Sequence, residues 1–110
     1  MSKEVKLMVL YPQPTNTAQF EQDYQTHLNI LHQKMNIPSD AQPYAVTKMH
    51  PTPTGAAPYY QMFSMSFPNS DALKETMSSQ AMKDIAAHAN EISSGGEPVI
   101  LIGSDMVTLP

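Results

Sequence analysis

The stretch Phe20-Glu21-Gln22-Asp23-Tyr24-Gln25-Thr26-His27-Leu28-Asn29-Ile30-Leu31 places Phe20, Tyr24, Leu28 and Leu31 at i, i+4, i+8 and i+11. That spacing is one stripe of an amphipathic helix. His27 follows Tyr24 by three residues and precedes Leu31 by four, so it lies on the same stripe and points inward. A histidine aimed at an apolar interior is the chain's one site signal with geometry behind it, because imidazole changes charge near neutral pH.

Working outward, Val5, Leu7, Val9 and Tyr11 alternate with Lys6, Met8 and Leu10, the pattern of a strand; Pro12 and Pro14 end it. Asn16 is placed to cap the helix, with Gln19 completing a capping-box pattern, and Pro38 bars continuation beyond about Met35. Tyr44 to His50 reads as a second strand. The proline-rich run Pro51 to Pro58 is a connection. Tyr59 to Phe67 reads as a third strand, with Tyr59, Gln61, Phe63, Met65 and Phe67 on one face and Tyr60, Met62, Ser64 and Ser66 on the other. A second helix starts at Pro68-Asn69-Ser70-Asp71 and carries the stripe Leu73, Met77, Ala81, Ile85, Ala89 and Ile92, with Ser78-Ser79 as a kink or break. Ser93-Ser94-Gly95-Gly96 ends it, and Val99 to Val107 is the last strand.

The order β-α-β-β-α-β predicts an α+β, ferredoxin-like fold over residues 1–110. In it, both helices lie on one face of a four-stranded antiparallel sheet. The other face carries Met, Leu, Ile and Tyr, and the last strand is apolar on both sides at a sheet edge. Those features predict a homodimer with two sheets packed face to face.

The chain has 110 residues, a net charge of −4 and six Lys or Arg in all. No basic cluster offers a footprint for nucleic acid. No apolar run is long enough to span a membrane, and the N-terminus leads straight into a strand without the pattern of a signal peptide. The absence of cysteine removes disulfides, thiolate metal sites and cysteine nucleophiles, and is compatible with the cytoplasm. Nine methionines read either as core filling or as a pliable pocket wall.

Leu10-Tyr11-Pro12, then Phe20 to Tyr24 and His27, resembles the opening of the EthD family, a strand ending in Tyr-Pro and a helix carrying Phe, Tyr and His in that order. The segment from Ser79-Gln80-Ala81 through Asp84-Ile85 to Pro98-Val99-Ile100 is similar to that family's second helix and last strand. Two stretches depart from the pattern: Leu28-Asn29-Ile30, where a proline is common, and Ala86 to Glu91, where the family passes quickly into a strand. The resemblance implies a dimeric α/β barrel linked to oxidative breakdown of small organic compounds such as ethyl tert-butyl ether. Related dimeric barrels include cofactor-free monooxygenases, isomerases, cyclases and haem enzymes, so the fold alone selects no reaction.

His27 is the candidate general acid/base, since burial keeps imidazole neutral and able to accept a proton. Tyr24, one turn earlier, is the candidate orienting donor, and Asp23 lies near enough on the helix surface to fix the imidazole tautomer. Tyr11, Phe20 and Phe63 are candidate walls for a small hydrophobic or aromatic molecule, His50 a candidate at the pocket rim, and His88 a ligand-binding residue placed to oppose His27. No metal site is expected, because His27 and His32 are rotated by about 140° around the helix and no carboxylate–histidine motif is present. No Gly-x-Ser-x-Gly or phosphate-binding glycine pattern occurs. No cofactor is expected, with haem on His88 the remote alternative. The expected function is a cofactor-free oxidative or isomerising step on a small hydrophobic compound. The alternative is a non-catalytic binding protein or an accessory of an oxygenase system.

Overall fold

A computed structural model describes residues 4–106. The elements in order are β1 (Val5–Pro12), α1 (Thr17–Lys34), β2 (Tyr44–Lys48), β3 (Tyr59–Phe67), α2 (Ser70–Met77), α3 (Gln80–Ile92) and β4 (Val99–Gly103). The four strands form one antiparallel sheet in the order β2-β3-β1-β4, which is the ferredoxin-like arrangement. Val107, expected in the last strand, lies outside the described residues.

Alternation along β1 and β3 sets the buried face. Val5, Leu7 and Tyr11 of β1 and Gln61, Phe63, Met65 and Phe67 of β3 are buried beneath the helices. Register pairs Leu7 with Met65 and Val9 with Phe63 on that side, and Met8 with Ser64 and Leu10 with Met62 on the other. The inward residues of α1 are Phe20, Tyr24, His27 and Leu31, so His27 takes the place on the buried stripe that the i+8 spacing gave to Leu28, which is half-buried.

Local chemistry shapes the helix ends. Asn16 Oδ1 accepts the Gln19 backbone N–H at 3.0 Å, but the Gln19 side chain turns forward to Asp23 at 2.8 Å, so the reciprocal half of the capping box is not made. The second helical region is split between Met77 and Gln80. Ser79 serves as the N-cap of α3, its hydroxyl donating to Thr76 C=O at 2.6 Å and accepting the Met82 N–H at 3.2 Å. At the break the stripe changes at one position, Met82 being buried in place of Ala81, while Ile85, Ala89 and Ile92 are buried as expected.

The barrel implied by the family resemblance is not formed. The sheet is open, with β2 and β4 as its two free edges and β3 and β1 between them. Closure would require β2 to bond β4, and about eight strands are needed before a barrel interior has room for its side chains. Four strands with helices on one face make a two-layer sandwich. The helices do not reach across β4, so Ile100 and Ile102, on the helix side of the register, are 50% and 58% exposed.

Candidate functional site

Two clusters fill the space between sheet and helices. One, at the α1 N-terminal end, joins Tyr11, Phe20 and Tyr24 with Ala89 and Ile92; the other surrounds Leu7, Leu31, Phe63 and Met65 with Leu73, Met82 and Ile85. Between them lies a cavity of about 90 Å³ bordered by His27, Tyr11, Phe63, Met82 and Ile100, among others. Its solvent-exposed borders are Asn90 of α3 and Ile100 of β4, so the mouth opens beside the edge strand. An apolar cavity of about 150 Å³ accepts benzene, so this volume suits a molecule of a few non-hydrogen atoms. Met65, Met77 and Met82 in the wall can yield to a larger one.

His27 is the polar group with acid/base capacity in that wall. Its Nδ1 lies 2.9 Å from Nδ1 of His88, and the rings are nearly parallel, at 6°, with centroids 5.2 Å apart. His88 is half-buried on α3 and does not border the cavity. The nitrogen His27 has left for a ligand is Nε2. Burial is the main cause that lowers the His27 pKa to about 4, and the neighbouring His88 adds to it. At neutral pH His27 is therefore uncharged. Asp23 is not its partner, being engaged with Gln19.

Tyr24 packs its ring on His27 at 5.5 Å but does not border the cavity. Its phenol is pushed well above its ordinary range by burial, then by Tyr11 and Tyr44, with Gln61 drawing it weakly back. The Tyr24 hydroxyl and the Gln61 amide nitrogen are nonetheless both buried without a hydrogen-bond partner. Tyr11, which does border the cavity, is also shifted upward by burial. Both phenols stay protonated at ordinary pH and act as donors, not bases.

Phe20 sits away from the cavity, stacked on Tyr24 at 5.7 Å and edge-on to Tyr11 at 5.4 Å. His50 is exposed beside the proline-rich connection, on a separate surface hollow with Met49, Thr52 and Tyr59. Of the expected site residues, the structure thus groups His27, His88, Tyr24, Tyr11 and Phe63, and leaves Phe20 behind Tyr24 and His50 apart. Met77, Met82, Asn90 and Ile100 also border the cavity; the stripe marks Met77 as inward but places Ala81 where Met82 lies, and the two methionines fit the reading of a pliable pocket wall. Among the described residues no cluster of three or more His, Asp or Glu is placed to hold a metal ion. Haem does not fit: His88 stands outside the cavity, and the cavity is far smaller than a porphyrin.

Comparison with solved structures places this architecture beside known ones. An ethyl tert-butyl ether (EthD) family protein from Bacillus halodurans C-125 superposes with a TM-score of 0.77 at 25% sequence identity, over 94% of this chain and 99% of that one. Hydroxynitrile lyase from Passiflora edulis matches with a TM-score of 0.70 at 10% identity over 100% of both chains. SnoaB, a cofactor-independent oxygenase from Streptomyces nogalater, matches at 0.61 and 11% identity over 99% of both. The last two likenesses are of fold. No protein-family model matches the chain, and no curated protein sequence does. The fold is therefore one that small-molecule enzymes use, and no described helix is long and apolar enough to cross a membrane.

Proposed function

We propose that this protein binds a small hydrophobic or aromatic molecule in the cavity between sheet and helices and moves a proton on it with His27. One observation carries the reading: a neutral, buried imidazole with Nδ1 held by a second histidine and Nε2 free, in the wall of an apolar cavity. A general base needs a lone pair within reach of the substrate and a fixed orientation. Tyr11 supplies a protonated hydroxyl in the same wall, able to hold a carbonyl or phenolate oxygen. Tyr24 acts as a positioning residue, its ring buttressing His27, and Phe63 is part of the wall.

Removing a proton next to a carbonyl, or from a phenol, leaves an electron-rich anion. Returning the proton elsewhere isomerises the molecule; giving electrons to dioxygen oxidises it. Likeness to the EthD protein and to the cofactor-independent oxygenase supports the oxidative branch, in the breakdown of a small organic compound. We place the protein in the cytoplasm on its cysteine-free sequence and infer a homodimer from the apolar face of the sheet that the helices leave bare.

The test needs no known substrate. A panel of small ketones and phenols is incubated with protein in D₂O, and C–H to C–D exchange is followed by NMR. Wild-type protein is expected to accelerate exchange for at least one compound, and His27→Ala to abolish that acceleration. Equal acceleration by His27→Ala would overturn the role of His27. A second reading, a binding protein without chemistry, is favoured by the low basicity of His27. Saturable binding without exchange in either protein would select it.

A further inference from the structure

We infer that His27 and His88 form a directional proton relay from the cavity to solvent, with His27 donating Nδ1–H to His88 Nδ1. The inference rests on the acid/base reading of His27 but makes a separate claim, about which nitrogen holds the proton and where the proton goes. The short Nδ1–Nδ1 contact of 2.9 Å can hold one hydrogen, so two opposite tautomers of the pair are in competition.

Placement decides between them. If His88 donated, His27 would carry its own hydrogen on Nε2, in the wall of a mainly apolar cavity, where that nitrogen makes no hydrogen bond to the protein. Buried N–H groups without acceptors are rare, whereas under-used acceptors are tolerated more readily. If His27 donates, its Nε2 presents a lone pair to the cavity. His88 then carries its second hydrogen on Nε2. His88 is half-buried, whereas His27 is buried, so the hydrogen sits on the ring of the pair that is nearer to water. In this arrangement the shared hydrogen has its acceptor, the outer hydrogen sits on the more exposed ring, and the lone pair stands where a base is needed.

The transfer balances. His27 Nε2 takes a proton from the bound molecule, forming the Nε2–H bond as the substrate bond to hydrogen breaks. The Nδ1–H proton passes along the hydrogen bond to His88 Nδ1, and the Nε2 proton of His88 leaves to water. Both imidazoles end neutral, one proton has left the substrate and one has entered solvent, and the charge left in the cavity is that of the substrate anion alone. The relay gives the half-buried His88 the role of a positioning and relay residue. It also explains why a base as strongly desolvated as His27 need not keep the proton.

The test uses the full-length protein labelled with ¹⁵N at histidine and no ligand. Long-range ¹H–¹⁵N correlation at neutral pH is expected to show the bare nitrogen at Nε2 in His27 and at Nδ1 in His88. The reverse assignment would overturn the relay direction. His88→Gln provides the second arm, because its amide oxygen can accept the Nδ1–H of His27 but cannot carry the proton onward. Exchange of that proton with water is expected to slow by at least about tenfold in His88→Gln; unchanged exchange would overturn the relay. If the variant fails to fold, the wild-type tautomers still decide. Correct tautomers with no exchange of any ligand proton would leave the relay standing and count against the acid/base function instead.

Discussion

At the scale of the residue, burial of His27 has a consequence for stability. Its folded pKa of about 4 lies below its ordinary value of 6.5, so the unfolded chain binds the proton first as pH falls. The stabilisation is whole above about pH 6.5 and is lost progressively as pH drops toward 4, by on the order of 3 kcal/mol in all. Urea unfolding at pH 7, 6 and 5 is expected to show this loss in wild-type protein and a flatter profile in His27→Gln. Identical slopes would show that His27 is not desolvated. His27 was legible in the sequence because helical spacing puts it between Tyr24 and Leu31 on one stripe. The stripe between Ile85 and Ile92 also offers His88 opposite His27, but not their hydrogen bond, because a separation of 61 residues becomes a contact only through the packing of α1 on α3. The same limit applies to Gln61: strand alternation marks it as inward, but nothing local reveals an amide nitrogen buried without a partner.

At the scale of the element, backbone irregularities decide what periodicity cannot. Strict alternation assigns Tyr60 to the bare face of the sheet. A register shift at Tyr11/Pro12 skips Tyr60, pairing Tyr11 with Gln61 and Pro12 with Tyr59. Tyr60 then packs edge-on against Phe20 at 5.6 Å, and its hydroxyl donates to Glu21 at 2.9 Å. Lys48 also grips Glu21 and, as the leading cause, holds its carboxyl below the usual range. A bulge of this kind inserts one residue and re-aims a side chain, and the tyrosine pair Tyr59-Tyr60 carries no local signal of it. The extension Ala86 to Glu91, by contrast, reads openly as helix and is the segment that brings His88 to His27. The turn after it tolerates little change. A Cβ at Gly95 would lie 1.9 Å from the Gln13 carbonyl oxygen, a backbone atom just after β1, and Ser94 there accepts the Thr15 N–H at 3.1 Å. Gly95→Ala is expected to destabilise the fold by about 1–3 kcal/mol through overpacking, read as a lower urea midpoint with unchanged slope. An unchanged midpoint would show that the turn moves freely away from β1.

At the scale of the whole molecule, the strand count and order were readable from alternation and turn residues, while closure into a barrel came only from family resemblance and is not what four strands build. The bare face of the open sheet carries Met8, Leu10, Met62 and Leu101 by register, and Leu101 is 45% exposed. If two copies cover these faces mutually, analytical ultracentrifugation will give a dimer at micromolar concentration and a monomer for Leu101→Lys. A wild-type monomer would remove the inferred assembly while leaving the cavity untouched. The methionines allow the cavity itself to be tested directly, since Met65, Met77 and Met82 border it and Met8 and Met62 lie on the opposite face of the sheet. The measurement is a titration of ¹³C-methyl-methionine-labelled protein with phenol, followed by NMR together with the His27 ring. The account predicts saturable shifts of Met65, Met77, Met82 and His27, with Met8 and Met62 unmoved. Shifts confined to Met8 and Met62, or none at saturating phenol, would contradict the claim that His27 serves a small-molecule cavity.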